Sequence, residues 1–253
     1  MDPGKVGVTK AVVGNAILHP AREKRKMPTM AHPLDNPAWT ALCSTQSHLA
    51  RGEGRALRYD GDYAVFAAAE DHSSQSLRAL GNLVAATGPA IVLARGALPA
   101  VPGTCVEKTR PGVQMIAEAL APPRTACDFV ALTDADAPDM LALATLTEPG
   151  PFFSRTHRLG DFIGVKIDGR LVAMVGERMK PAGFTEVSGV CTHPDFRGRG
   201  YAGALMEVVA NRIAARGETP FLHAYADNEG AIALYEALGF RRRCEVMVTV
   251  LVP

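Results

Sequence analysis

The stretch Val190 to Gly203, V-C-T-H-P-D-F-R-G-R-G-Y-A-G, concentrates residue types that bind anions. Arg197 and Arg199 are permanent cations, and Gly198 and Gly200 let the backbone turn tightly and approach a ligand closely. If a helix starts directly after such a turn, its unpaired N–H groups and the positive end of its dipole point at the same spot. The chemistry implied is retention of a phosphate-bearing group. Gly198-Arg199-Gly200-Tyr201-Ala202-Gly203 also fits the dinucleotide pattern Gly-x-Gly-x-x-Gly. That fingerprint belongs on the first strand of a parallel β-α-β unit, with an acidic residue about 20 positions on. Here the strand comes late in the chain, and Tyr201 and two arginines crowd the turn, which argues against NAD or FAD.

The turn needs a strand before it and a helix after it. Val187 to Cys191 reads as a buried strand that Pro194 stops. Leu205, Val209 and Ile213 share one face of a following helix, which Gly217 ends. Phe221 to Ala226 is the next strand, Asn228 caps a helix to Leu238, and Cys244 to Val250 alternates as a last strand. Upstream, Phe129 to Leu132 is a strand, and a helix carries Met140, Leu141, Ala144 and Leu146. Phe162 to Ile167 and Leu171 to Val175 flank Asp168-Gly169, a strong hairpin signal.

The first part of the chain reads as a smaller α/β unit over residues 31–125. It has a helix over Pro37 to Leu49, strands Arg55 to Tyr59 and Tyr63 to Ala68, a helix through Leu77, Leu80 and Leu83, and a strand Ala90 to Ala94. Pro111-Gly112 and Pro122-Pro123 punctuate its exit, which places a boundary near residues 120–128. Residues 1–30, with the basic run Ala21 to Lys26, read as a poorly ordered extension.

The whole chain has 253 residues, a net charge of +1 and 47% hydrophobic content, which is ordinary for a soluble globular protein. Such a charge gives no general pull toward nucleic acid or a membrane surface. The apolar runs fall short of the roughly 20 residues that a membrane helix needs. Five scattered cysteines without a C-x-x-C pair suggest reduced thiols and a cytoplasmic location. No residue set has metal-ligand spacing.

Arg197-x-x-Gly200-x-Ala202 matches Gln/Arg-x-x-Gly-x-Gly/Ala, the acyl-CoA pyrophosphate loop of the GCN5-related N-acetyltransferases. Thr192-His193-Pro194 before it, Asn228 after the next strand, and Tyr235 with Leu238-Gly239-Phe240 fall in the order found in that family. The chain over about 126–250 resembles its FR47-like branch. The resemblance implies an α/β (α+β) fold with a mixed, mainly antiparallel sheet flanked by helices, and a catalytic domain over 126–253. Residues 31–125 would then be a degenerate second copy of the fold, without the CoA motif. It also implies acetyl-CoA as co-substrate, held by Gly198, Arg199, Gly200, Tyr201 and Ala202 at the turn, by Asn228, and by backbone groups of Val190, Cys191 and Thr192 along the pantetheine.

Acetyl transfer to an amine poses two proton problems. A free alkylamine has a pKa of roughly 10.4 and arrives protonated, while the departing thiolate has a conjugate acid near roughly 8.5. By resemblance Tyr235 donates to the thiolate. Glu186, eleven residues before Arg197, is the candidate base. In an apolar strand its burial would raise its pKa toward a useful range. Glu148, Phe152 and Phe153, in the loop Glu148 to Phe153, could bind a cationic acceptor. His193 and His223 are weaker candidates for a base, and Cys191 reads as a strand residue. The expected partner is a small-molecule or peptide amine, with no nucleic acid and no membrane, and a homodimer stays open. The rival reading is a non-catalytic acyl-CoA sensor, which would need neither Tyr235 nor Glu186.

Overall fold

The computed structural model describes residues 32–120 and 128–253 of the chain. The expected extension over 1–30 lies outside them, as do Pro122-Pro123 and residues 121–127, where a boundary is expected. In chain order the elements are α1 (Pro37–Cys43), β1 (Ala50–Arg51), β2 (Ala56–Tyr59), β3 (Ala67–Ala69), α2 (Ser74–Thr87), β4 (Ala90–Ala94) and β5 (Cys105–Ala117). There follow β6 (Val130–Leu132), α3 (Ala137–Thr147), β7 (Phe162–Ile167), β8 (Arg170–Glu177), β9 (Phe184–Thr192), α4 (Tyr201–Ala215), β10 (Thr219–Tyr225), α5 (Glu229–Ala237) and β11 (Phe240–Val252).

Two sheets form. The strands β1, β2 and β3 make a small antiparallel sheet, and the other eight make one large sheet in the order β4-β11-β5-β10-β9-β8-β7-β6. Every neighbouring pair in the large sheet is antiparallel except β9 with β10. The strand β5 lies between β10 and β11, so the expected division near residue 126 does not separate two sheets.

Local chemistry explains where the elements depart from expectation. The helix α1 stops at Cys43 and not at Leu49. Ser44 Oγ donates back to the Thr40 carbonyl (2.6 Å), and Ser44 N and Gln46 N both donate to the Ala41 carbonyl. Such short polar side chains compete with the helical ladder. Tyr63 and Ala64 stay in a turn, with both N–H groups donating to the Asp60 carbonyl, so β3 pairs only from Ala67. Pro111-Gly112 does not mark an exit; it lies inside β5. A strand residue directs its N–H and C=O to the same side. The Pro111 carbonyl accepts from Ala226 N (3.0 Å), so its missing donor falls on the β10 side, just past the end of that ladder at Tyr225 and Gly112. The β11 side loses nothing.

One irregularity shapes the site. Met174 pairs with Cys191 and Gly176 with Ser188, so β9 carries an extra residue there. Gly189 takes up this bulge with φ +64, a left-handed conformation that suits glycine. On its other side β9 pairs with β10 only as far as Glu186 and Phe221. Beyond that point the two strands diverge. A Cβ on Gly189 would lie 2.9 Å from Phe162 Cε1. Gly189→Ala is therefore expected to cost about 1–3 kcal/mol in strain and crowding. Thermal unfolding should show a clear drop in Tm, and an unchanged Tm would mean that the bulge can be remade without glycine.

The largest apolar cluster joins Leu205, Met206, Val209 and Ile213 of α4 to Val172, Val175, Val187 and Leu222 of the sheet. Met140, Leu143 and Ala144 of α3 pack against Phe162, Met174 and Cys191. Leu34, Trp39 and Leu42 around α1 bury against Tyr59, Leu93, Met179 and Phe221, so the early residues share a core with β4 and β10. Among the described residues no helix is long and apolar enough to cross a membrane.

Candidate active site

The diverging ends of β9 and β10 open a cleft of about 840 Å³. Val190, Cys191 and Thr192 line one wall; His223, Ala224 and Tyr225 line the other. The turn Arg197 to Gly203 and α5 residues up to Tyr235 close one end. Phe66, Ile91, Leu93 and Val248 line the cleft as well, so its walls come from both parts of the chain.

The turn has the features of an anion cradle. Gly198 (φ +75) and Gly200 (φ +79) are both left-handed, and a Cβ on either would meet nothing within 4 Å. Gly200 precedes α4 and no side chain caps that helix, which leaves its first N–H groups free for a ligand. Arg197 Nε donates to the Thr192 carbonyl (3.3 Å), and Arg199 lies 4.8 Å from the Phe196 ring centroid. Thr192 Oγ1 is buried without a hydrogen-bond partner, beside the turn. Two cations, an uncapped helix start and an orphaned hydroxyl fit a ligand with phosphates and further polar groups.

Tyr235 lines the cleft and is 9% exposed. Burial raises its pKa above the usual phenol value, so it holds its proton at neutral pH. Burial also pushes the Cys191 thiol up to about 11, so this cysteine is not a thiolate nucleophile at neutral pH. Asn228 lines the cleft while its Oδ1 accepts from Ala231 N (3.2 Å) and caps α5. Glu148 lines the cleft from the end of α3, where its own φ is +48. Phe152 and Phe153 do not line the cleft. Phe152 packs edge-on against Phe162 (5.8 Å between centroids) in the α3 cluster, and the Phe153 backbone N–H donates to Thr156 Oγ1 (2.8 Å).

Glu186 overturns the expected direction of its pKa. It is fully buried, yet its two oxygens accept from four donors. Arg178 Nε (2.8 Å) and Met179 N (3.3 Å) reach Oε2; Arg178 Nη2 (2.8 Å) and His223 Nδ1 (2.7 Å) reach Oε1. Burial alone raises the pKa, but Arg178 and His223 outweigh it and hold the carboxyl at about 2. A carboxylate this acidic, with every oxygen engaged, is a poor proton acceptor, and it is absent from the cleft lining. His223 is oriented from both sides. Its Nδ1–H goes to Glu186, and its Nε2 accepts from Gln114 Nε2 (3.1 Å), whose Oε1 accepts from Arg243 Nη1 (2.8 Å). His193 lies outside the cleft, with Nε2 2.6 Å from Arg170 Nη2 and Nδ1 accepting from Asp195 N.

Arg178 is a charged cleft residue that sequence reasoning did not single out, and Phe66, Ile91 and Leu93 are apolar ones. The signal was present in Glu186, since a carboxylate in an apolar strand requires a cation on a neighbouring strand end. No group of three or more His, Cys, Asp or Glu among the described residues could hold a metal ion.

Comparisons with known proteins bear on the family and the fold. A family model described as FR47-like protein matches residues 163–249, which run from β7 into β11. A solved structure assigned to the GNAT family of acetyltransferases, from Novosphingobium aromaticivorans, is 45% identical with a TM-score of 0.82, covering 87% of this chain and 98% of that one. A GCN5-related N-acetyltransferase from Kribbella flavida shares the fold at 20% identity and a TM-score of 0.59, over 86% of this chain and 95% of that one. An acetyltransferase of Yersinia enterocolitica is 40% identical over 58 residues, 22% of this chain. The match spans 40% of the length of that curated relative. The first of these likenesses covers nearly all of its counterpart, and it carries the conclusion that this chain belongs to the GNAT family of acetyltransferases.

Proposed function

We propose that the chain transfers an acetyl group from acetyl-CoA to an amine of a small molecule or peptide, by direct attack in a ternary complex. The observation that supports this most is that one cleft joins an anion-binding turn, a strand end without a partner strand on the β10 side, and a buried, protonated tyrosine. Acetyl-CoA supplies the activated acyl group.

In this reading Arg197 to Ala202 hold the phosphates. The backbone of Val190 to Thr192 pairs with the pantetheine as a further strand would, and Asn228 adds a contact. Tyr235 donates the proton that the departing thiolate needs. Glu148 offers the arriving ammonium a counter-charge at the rim. Phe66, Ile91 and Leu93, from the first part of the chain, wall the acceptor side. Glu186 does not take the amine proton; it holds Arg178 and His223 in place, and the proton leaves to water in the open cleft.

A CoA-release screen across amines, amino acids and peptide N-termini tests the activity. If CoA binds and no amine releases it, the chain is an acyl-CoA-binding module and not an enzyme. Tyr235→Phe tests the acid. It removes one proton donor and little volume, so kcat should fall about 100-fold while CoA affinity stays. Unchanged kcat would remove Tyr235 from the mechanism.

A further inference from the structure

The end of the cleft where β9 and β10 part holds a cation whose pairing is incomplete. The Arg178 side chain is 11% exposed and lines the cleft. Its Nε and Nη2 are taken by Glu186, and its guanidinium carbon lies 4.6 Å from the Phe66 ring centroid. Nη1 has no protein acceptor among the described residues. The guanidinium is thus fixed by a carboxylate and an aromatic face, with one amino group left over.

The surroundings make this arrangement informative. Phe66, Ile91, Leu93 and Val248 give this part of the cleft apolar walls. Replacing a buried ion pair by apolar residues is often neutral or stabilising, so stability alone does not account for one here. A rigid guanidinium with unused N–H groups in a ligand cleft suits a carboxylate.

Its position sets a length. Arg178 N donates to the Glu186 carbonyl (3.0 Å), and Glu186 with Phe221 is the last pair before β9 and β10 diverge. Val190, the first of the residues assigned to the pantetheine and its thioester in the acetyl-transfer reading, lies four residues further along β9. The bulge at Gly189 takes about one strand position out of that interval, so at about 3.3 Å per position it spans on the order of 10 Å, of which the arginine side chain bridges only part. An α-amino acid carries its amine and carboxylate on one carbon and cannot span this. A straight-chain ω-amino acid can, and so can a peptide of about two or three residues.

We propose that the acceptor is an elongated amino carboxylate whose amine reaches the thioester while its carboxylate rests on Arg178 Nη1. This rests on the acetyl-transfer reading above.

Matched pairs of substrates test it on the unaltered protein. Straight-chain ω-amino acids of increasing length are compared with n-alkylamines of equal carbon number by CoA release. The preference for the acid in kcat/KM should grow with length and reach about 10-fold or more. Alkylamines that match or beat the acids at every length overturn the proposal. Di- and tripeptides with free or amidated C-termini repeat the comparison. A preference for the free form there identifies a peptide acceptor; a preference confined to the ω-amino acids identifies the free acid. Arg178→Lys keeps a cation for Glu186 and lacks Nη1, so the acid-to-alkylamine ratio should fall toward one. An unchanged ratio in a folded variant overturns the assignment to Arg178. Should no amine release CoA, calorimetric binding to the CoA-saturated protein makes the same comparison. Tighter binding of the long acid keeps the carboxylate site and discards the transfer reading, and equal or absent binding discards the site as well.

Discussion

A fragment that starts at residue 128 should fail to fold, although it contains the glycine turn, Tyr235 and most of the cleft. It lacks β5, which lies between β10 and β11 and pairs with both along most of their length. Val113, Met115 and Ala117 of β5 belong to the main core cluster, together with Leu222, Tyr235 and Phe240. Burying an apolar side chain of this size contributes about 1.5–3 kcal/mol, so losing them removes several kcal/mol before any hydrogen bond is counted. That approaches the whole stability of a domain, about 5–15 kcal/mol. The backbone groups of β10 and β11 would also lose their partners in the sheet interior. The measurement is thermal unfolding by circular dichroism, with no cooperative transition expected. A cooperative transition in this fragment would establish residues 128–253 as an independent domain.

Acid should weaken the protein through Glu186, and substitution there should be costly at neutral pH. The folded-state pKa of about 2 lies below the ordinary 4.5. The stabilisation is therefore fully present above about 4.5 and is lost as pH falls from there toward about 2. At about 1.4 kcal/mol per pKa unit it amounts to roughly 3 kcal/mol. Glu186→Ala leaves Arg178 buried and unpaired, which costs about 3–5 kcal/mol. Urea unfolding at pH 7 and pH 3 measures both effects. Glu186→Gln should be less stable at pH 7 and should lose less than the unaltered protein on going to pH 3. An equal loss in both would assign the acid sensitivity to other carboxylates.

The glycine turn, the strand before it and the helix after it were legible because their signals are local. Gly198, Gly200, Pro194 and the period of Leu205, Val209 and Ile213 each fix a few neighbouring residues. The same holds for the hairpin at Asp168-Gly169, which forms with φ of +50 and +79. The strand β5 was not legible. Its first half is exposed and polar, its middle carries a proline, and its partners lie more than 100 positions away in sequence. The pKa of Glu186 was misjudged for a related reason. Burial can be read from the strand itself, but Arg178 approaches from the loop after β8 and His223 from β10. The cleft residues Phe66, Ile91 and Leu93 come from segments with no chemical signature at all.

The insertion of β5 also sets a schedule for folding. The strand β11 joins β4 on one side and β5 on the other, and the other edge of β5 pairs with β10, so β5 has no partner in the large sheet until residues 219–225 have been made and is enclosed on both sides only after residues 240–252. Until β10 is made β5 waits as a long strand with both edges open, and one edge stays open until β11 follows, a form that invites pairing with other chains. The sheet closes late, through contacts far apart in sequence, and such closure is slow. Yield of folded protein should therefore depend on how well the unfinished chain is shielded during translation, more than on the stability of the finished one.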